Sequence, residues 1–300
     1  MEPIVSIVAP CYNGEMYVSR MLESVLGQTY RTIEMVCVND GSVDSTEKIL
    51  RAYGERFQEA GMVLRILSQT NQGQAAALDA GLKVISGTYL SWIDCDDFLF
   101  PQAVEKKVRY LEQNAEVAIV TADLYETDER YLSGKQGNTL LEAATACGRT
   151  KGQGFGDLNS QSHQFFLTLI GKSVMECHAH MLRVDAMRRI NPEMSISHCR
   201  AGQNYQMLLP MYYYFKRGYI DEPLSCYVIR RYSHYHRPRS YEEEKERLEG
   251  LLEMLCETFS AMGLPQWEIE RYQRMSIFAS ERKRLIEHGR DETMVGKCDQ

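Results

Sequence analysis

Asp94-x-Asp96-Asp97 places three carboxylates within four residues. Like charges that close repel unless something positive sits among them. A hard divalent cation, Mg2+ or Mn2+, takes oxygen ligands and is often completed by substrate phosphates. The alternative use of the run is an acidic turn with Asp97 as a helix N-cap. Asp40 stands just past a second apolar run. There it either accepts a hydrogen bond from a nucleobase N–H or caps the following turn. Gly73 and the N–H groups around Gln74 either hold phosphate at a helix N-terminus or allow close helix–strand packing.

These residues share a position: each follows a short β-branched run. Residues 4–9, 34–38, 63–67, 88–93 and 117–122 read as strands. Between them, residues 16–26, 45–53, 74–85 and 102–114 carry helical periodicity, the second with Asp44 as N-cap and Glu47 three residues on. Such alternation predicts a mostly parallel sheet flanked by helices, with its ligand beyond the carboxyl ends of the strands. Residues 133–162, punctuated by Gly134, Gly137, Gly148, Gly152, Gly154 and Gly156, read as a long connection. Residues 241–262 form an amphipathic helix with a stripe of Leu248, Leu251, Leu252 and Leu255, and 267–288 another helix.

The 300 residues carry 34 basic and 41 acidic side chains, a net charge of −7. That balance gives no general reason to bind nucleic acid. Nine scattered cysteines without a CxxC pair argue against a zinc ribbon and for a reducing compartment, the cytoplasm. Met1-Glu2-Pro3-Ile4 lacks a basic n-region, so no secretory signal is expected, and no run of about 18 apolar residues occurs.

Four segments together resemble the family 2 nucleotide-sugar glycosyltransferases. They are Val5-Ser6-Ile7-Val8-Ala9-Pro10-Cys11-Tyr12-Asn13, Asn39-Asp40-Gly41-Ser42-Val43-Asp44-Ser45-Thr46, Asn71-x-Gly73 with Ala77 and Gly81, and Trp92-Ile93-Asp94-Cys95-Asp96-Asp97. Their order and spacing match the family over residues 4–125, and more weakly to Tyr232. The resemblance implies an α/β, Rossmann-like GT-A fold with a C-terminal helical extension. It divides the chain into a donor-binding half (1–125), an acceptor-binding half (126–240) and a helical extension (241–300). It also implies a hexosyltransferase-like enzyme of polysaccharide biosynthesis that takes a nucleotide-diphosphate sugar, a UDP-sugar first, to a glycan or lipid-linked acceptor with inversion. Carried over by position, Pro10, Tyr12, Asn13 and Gly73 bind the donor and Asp40 matches the uracil-binding aspartate. Asp94 faces ribose or metal, and Asp96 ligates the Mn2+ or Mg2+ that bridges the diphosphate.

The chain departs from the family at three places. Asn39 stands for an aspartate, and Leu78-Asp79 for Arg-Asn. Gln203-Asn204 stands where many members have Glu-Asp, whose aspartate is the general base. An amide cannot take that proton; Gln203 and Asn204 can only orient an acceptor. The base is left open among His178, His198 and Asp185, with His180 and Glu193 as further alternatives. The basic run Arg230–Arg237 offers Arg231 and His234 as diphosphate contacts, or else a solvated loop or a membrane contact. Peripheral attachment at the inner face of the membrane and a homodimer through the C-terminal helices are both compatible with the sequence. A donor-binding protein without transferase activity is the alternative reading. A sugar-1-phosphate nucleotidyltransferase lacks its glycine-rich N-terminal loop here.

Overall fold

A computed structural model describes residues 2–151, 161–199, 201–230 and 238–295. The chain runs β1 (Val5–Cys11), α1 (Val18–Leu26), β2 (Ile33–Asp40), α2 (Thr46–Ala52), α3 (Gly54–Glu59), β3 (Val63–Gln69), α4 (Gln74–Leu82) and β4 (Tyr89–Trp92). There follow β5 (Phe98–Leu99), α5 (Ala103–Gln113), β6 (Val117–Asp128), α6 (Gly137–Cys147), β7 (Arg149–Lys151), α7 (Gln161–Leu169), β8 (His180–Arg183) and α8 (Val184–Ile190). The last part is α9 (Gln203–Tyr214), β9 (Lys216–Ile229), α10 (Tyr241–Ala261), α11 (Gln266–Met275) and α12 (Ile277–Val295).

The strands form one sheet in the order β3-β2-β1-β4-β8-β6-β9-β5, with β7 paired to β6. Six of the eight strands on that path run the same way; β8 and β5 run against them. Every residue of β1 and β2 is buried, as expected of parallel strands covered on both faces. Side chains alternate across β1. Val5, Ile7, Ala9 and Cys11 join α1, α2, α3 and α5 in one core. Val8, with Val36 and Val38, faces a second core of α4, α7, α9, α10 and α11. A Cβ on Gly81 would collide with Val8 and come within 3.3 Å of Val38, so glycine lets α4 settle onto the sheet.

Two features differ from the sequence expectation. Within residues 133–151, α6 and β7 replace most of the expected connection, while Gly152, Gly154 and Gly156 lie outside the described residues; Leu140, Ala143 and Ala144 bury one face of α6 against Phe98 and Val228. The expected helix over 267–288 is two helices. Buried Ser276 is extended (ψ 153°) and its hydroxyl donates to the Gln273 carbonyl, closing α11 before α12 starts. Among the described residues no helix is long and apolar enough to cross a membrane.

Candidate active site

The carboxyl ends of β1, β2, β3 and β4 lie at one edge of the sheet, and their loops are stitched together. Asn13 takes the left-handed backbone region (φ 47°), which asparagine tolerates better than most residues. Its Oδ1 accepts from the Val43 N–H (3.0 Å), and its own N–H donates to Ser42 Oγ (3.0 Å). Asp44 accepts from the N–H groups of Glu15 and Thr46, while Ser45 rather than Asp44 is the N-cap residue of α2. Pro10 is buried within β1, and Tyr12 is exposed beyond its end.

Asp40 is buried and organises the next loop. Oδ1 accepts from Gln69 Nε2 (2.8 Å) and the Gln72 N–H (2.9 Å), and Oδ2 from the Gly73 N–H (2.8 Å). Of the two uses open to Asp40, the turn-holding one is present, and the Gly73 N–H is spent on it. A carboxylate has about four acceptor positions, and three of them are used here. Gly41 (φ +70°) makes the approach feasible: a Cβ there would lie 2.6 Å from the Asn71 nitrogen. The loop ends at α4, whose first residue, Gln74, donates to Asp94 Oδ1 (2.6 Å). The donor residues predicted from sequence, Tyr12, Asn13, Asp40, Gly73 and Asp94, therefore share one edge.

At its centre, carboxylate oxygens of Asp94, Asp96 and Asp97 all lie within 4.8 Å of one another. Asp97 is not a helix cap: it immediately precedes β5, its Oδ1 accepts from the Val228 N–H (2.8 Å), and its Oδ2 lies 3.1 Å from His178 Nδ1. Burial raises Asp94 to about 7, with the charges of Asp97 and Asp96 adding to it. Asp97 is pushed up in the same way, by burial and then Asp96. Arg230 Nη2 pairs with Asp96 Oδ2 (2.5 Å), and Arg20 Nη2 donates to the Asp96 carbonyl (2.5 Å). Both guanidinium groups lie near the Tyr17 ring. Hard oxygen donors, negative charge that burial makes costly, and a guanidinium already drawn to Asp96 all fit a small divalent cation.

The candidate bases divide by strand direction. Because β8 is antiparallel to β4 and β6, its amino end lies at the site edge and its carboxyl end at the opposite one. His178 thus arrives beneath Asp97, whereas Asp185, just past β8, pairs with Arg189 at the far end of the sheet. His178 is fully buried. Burial, then the Lys107 charge, lowers it to about 4, so the imidazole is neutral. His180 is also buried and lowered, 3.0 Å from Thr121 Oγ1. His198 is half-exposed, its Nε2 3.0 Å from Asp79 Oδ2. Glu193 is exposed.

Both ends of the Asn204 amide are engaged within the protein. Its Oδ1 accepts from Trp92 Nε1 (2.9 Å), and its Nδ2 donates to the Met175 carbonyl (2.8 Å). Gln203 is half-buried at the start of α9, after the left-handed Gly202. Arg231 and His234 lie outside the described residues.

Sequence reasoning missed three residues. Arg20 supports Asp96. Lys107 is buried, its Nζ donating to the His178 carbonyl (2.5 Å), and burial lowers it to about 7. It follows Ala103 by four residues and precedes Leu111 by four, so a lysine in an apolar stripe was the available signal. Glu176 is half-buried just before Cys177 and His178, and nothing in its local pattern marks it.

Residues 6–190, more than half of the chain, match the model of glycosyl transferase family 2. The chain belongs to that family. This family 2 member is 39% identical over 112 residues to an uncharacterized glycosyltransferase of Rickettsia prowazekii, covering 37% of this chain and 33% of that protein. It is 34% identical over 114 residues to the uncharacterized glycosyltransferase EpsJ of Bacillus subtilis, covering 38% and 32%. The matches thus span about a third of the length of these curated relatives. In three dimensions it is similar to S. aureus TarS 1-349 in complex with UDP-GlcNAc (TM-score 0.63, 16% identity, 90% of this chain and 70% of that one). It is also similar to mannosyltransferase PcManGT from Pyrobaculum calidifontis in complex with GDP-Man and Mn2+ (TM-score 0.57, 14% identity, 94% and 70%). The fold is GT-A.

Proposed function

We propose that this family 2 member is a metal-dependent glycosyltransferase. It moves a sugar from a nucleotide-diphosphate sugar, a UDP-sugar first, to a hydroxyl of a glycan or lipid-linked acceptor, with inversion. The carrying observation is the Asp94–Asp96–Asp97 trio at the end of β4, joined through Gln74 to the loop held by Asp40. Asp40 keeps one acceptor direction for the imide N–H of uracil, while Tyr12 and Asn13 flank the nucleoside. Asp96 and Asp94 hold the cation, Mn2+ or Mg2+, which when bound neutralises charge on the leaving diphosphate. Arg230, released from Asp96, adds a second positive group there. The Mn2+ in the PcManGT complex and the UDP-GlcNAc in the TarS complex support this choice of ligands. A cytoplasmic location with peripheral attachment to the inner face of the membrane suits a lipid-linked acceptor.

The test is calorimetry of UDP, GDP and TDP with and without Mn2+, together with release of nucleoside diphosphate from a panel of their sugars. UDP binding that strengthens with Mn2+, and sugar-dependent UDP release, are expected. Binding with no release from any donor favours the alternative, a donor-binding protein, which draws on the engaged amide of Asn204.

A further inference from the structure

We propose that Arg230 is an internal counter-ion that competes with the divalent cation for the Asp96 carboxylate, so that cation binding frees Arg230 for the donor. This rests on the metal site proposed above. Arg230 lies just past β9, and its Nη2 pairs with Asp96 Oδ2 at 2.5 Å. Asp96 also supplies one of the three carboxylate oxygens that lie within 4.8 Å of one another. One carboxylate thus faces two claims, from a guanidinium and from a cation. Like charges brought that close repel, so the guanidinium is driven off Asp96 once a divalent ion is held there. The Arg230 and Asp96 side chains are only 29% and 14% exposed, so solvent screens this repulsion less than at an open surface.

Two guanidinium groups reach Asp96, and they are placed for different work. Arg20 Nη2 donates to the Asp96 main-chain carbonyl, and its guanidinium lies over the Tyr17 and Phe98 rings, 6.0 and 5.7 Å from their centres. It holds the turn and leaves the carboxylate alone. Arg230 takes the carboxylate itself, with the Tyr17 ring 4.8 Å away. The Nε of each arginine is buried without a hydrogen-bond partner. A buried donor left without an acceptor is costly. For Arg230, a move from Asp96 to a phosphate oxygen offers that donor an acceptor.

The backbone beneath Arg230 is fixed. Val228, two residues earlier, gives its N–H to Asp97 Oδ1 (2.8 Å), and β9 stays paired with β6 as far as Ile229. Cys226 pairs with Phe98, next to Asp97. The strand end is therefore tied to the acidic trio whichever partner Asp96 has, and the change is confined to the Arg230 side chain. Turning about that fixed point, the freed guanidinium remains beside the diphosphate that the cation serves. Cation and donor binding then reinforce each other through one arginine.

The whole chain is titrated by calorimetry, first with Mn2+ alone and then with UDP at saturating Mn2+, as the parent, Arg230→Gln and Arg20→Gln. In Arg230→Gln, Mn2+ alone should bind about tenfold tighter, because no guanidinium has to leave Asp96. UDP with Mn2+ should bind that variant about tenfold more weakly, because the freed group is missing. The opposite signs separate competition from a damaged fold, which would weaken both. Arg20→Gln removes the same charge from the same neighbourhood but not from the carboxylate, so its Mn2+ affinity should rise by no more than about threefold. An Arg230→Gln affinity for Mn2+ that is weaker than the parent's, or within about twofold of it, overturns the proposal, since guanidinium and cation then share the carboxylate. An equal gain in Arg20→Gln also overturns it, since general charge repulsion then suffices. In both of those cases Mn2+ still binds and the metal reading stands. Parent and Arg230→Gln chains that both bind UDP but no Mn2+ overturn the metal reading and this proposal together.

Discussion

On the proposed donor edge, neighbouring loops bind one another through main-chain N–H groups: Asn13 to Val43, Asp44 to Glu15, Asp40 to Gln72 and Gly73. On the proposed acceptor edge, the described residues of 174–206 are held from a distance by single side chains. Lys107 holds the His178 carbonyl, Asn204 the Met175 carbonyl, and Asp79 the 195–198 loop. The donor edge is built from short polar residues next to strand ends, so a change there disturbs one loop. The acceptor edge depends on a few partners remote in sequence, so one substitution releases a whole segment.

Substitutions on each edge can break or sharpen this contrast. The largest effect is expected at the shared centre. Asp96→Ala should lower donor turnover by about 100-fold or more and abolish the Mn2+ dependence of UDP binding, measured by calorimetry. Normal metal-dependent binding in that variant would remove Asp96 from the cation site. Next, Asp40→Asn replaces a triple acceptor with a group that accepts at one atom only. Its loop should loosen, and UDP affinity should fall by about tenfold, on the order of the 1–3 kcal/mol cost of a lost charged hydrogen bond. Unfolding temperature should barely move, because the damage stays in one loop.

Asp79→Asn is the acceptor-edge counterpart. Burial disfavours its charge, but hydrogen bonds from Lys83, Ser195, His198 and the Ile196 N–H outweigh this and pull it to about 2. A thermal melt should show a loss of about 1–3 kcal/mol, with UDP affinity unchanged. The smallest effect is in pH. A carboxyl lowered from 3.8 to about 2 on folding contributes stability that is complete above pH 4 and is lost as pH falls through 2. Melts of the parent and Asp79→Asn should therefore converge over that window. Lys107 works oppositely. Burial lowers it from 10.5 to about 7, so its penalty is greatest at low pH and is relieved as pH rises from about 7 towards 10.5.

How much of this was legible in the sequence follows the same division. The strand ends carrying Asn13, Asp40, Gly73 and Asp94 could be read because strand, turn residue and helix cap are neighbours in the chain. The break at Ser276 could not, since a serine hydroxyl returning to Gln273 leaves the helical periodicity on either side intact. Helix α6 was hidden because its glycines suggested a loop, while its apolar residues find their partners in Phe98 and Val228. Gln203-Asn204 could be read only as a departure from the acid that the family resemblance implies. What the amide does there depends on Trp92 and Met175, 112 and 29 residues away.

The Asp79 carboxylate has a consequence for how such a chain can evolve. Four donors converge on one buried acid: Lys83 from its own helix, and Ser195, the Ile196 main chain and His198 from across the site. Drift at position 79 without compensation strands those donors, and drift at 195 or 198 strands the acid. The three positions should therefore change together between lineages. Helix α4, which meets Asp94 at its first residue, passes to each descendant with the acceptor-side loop it was fitted to.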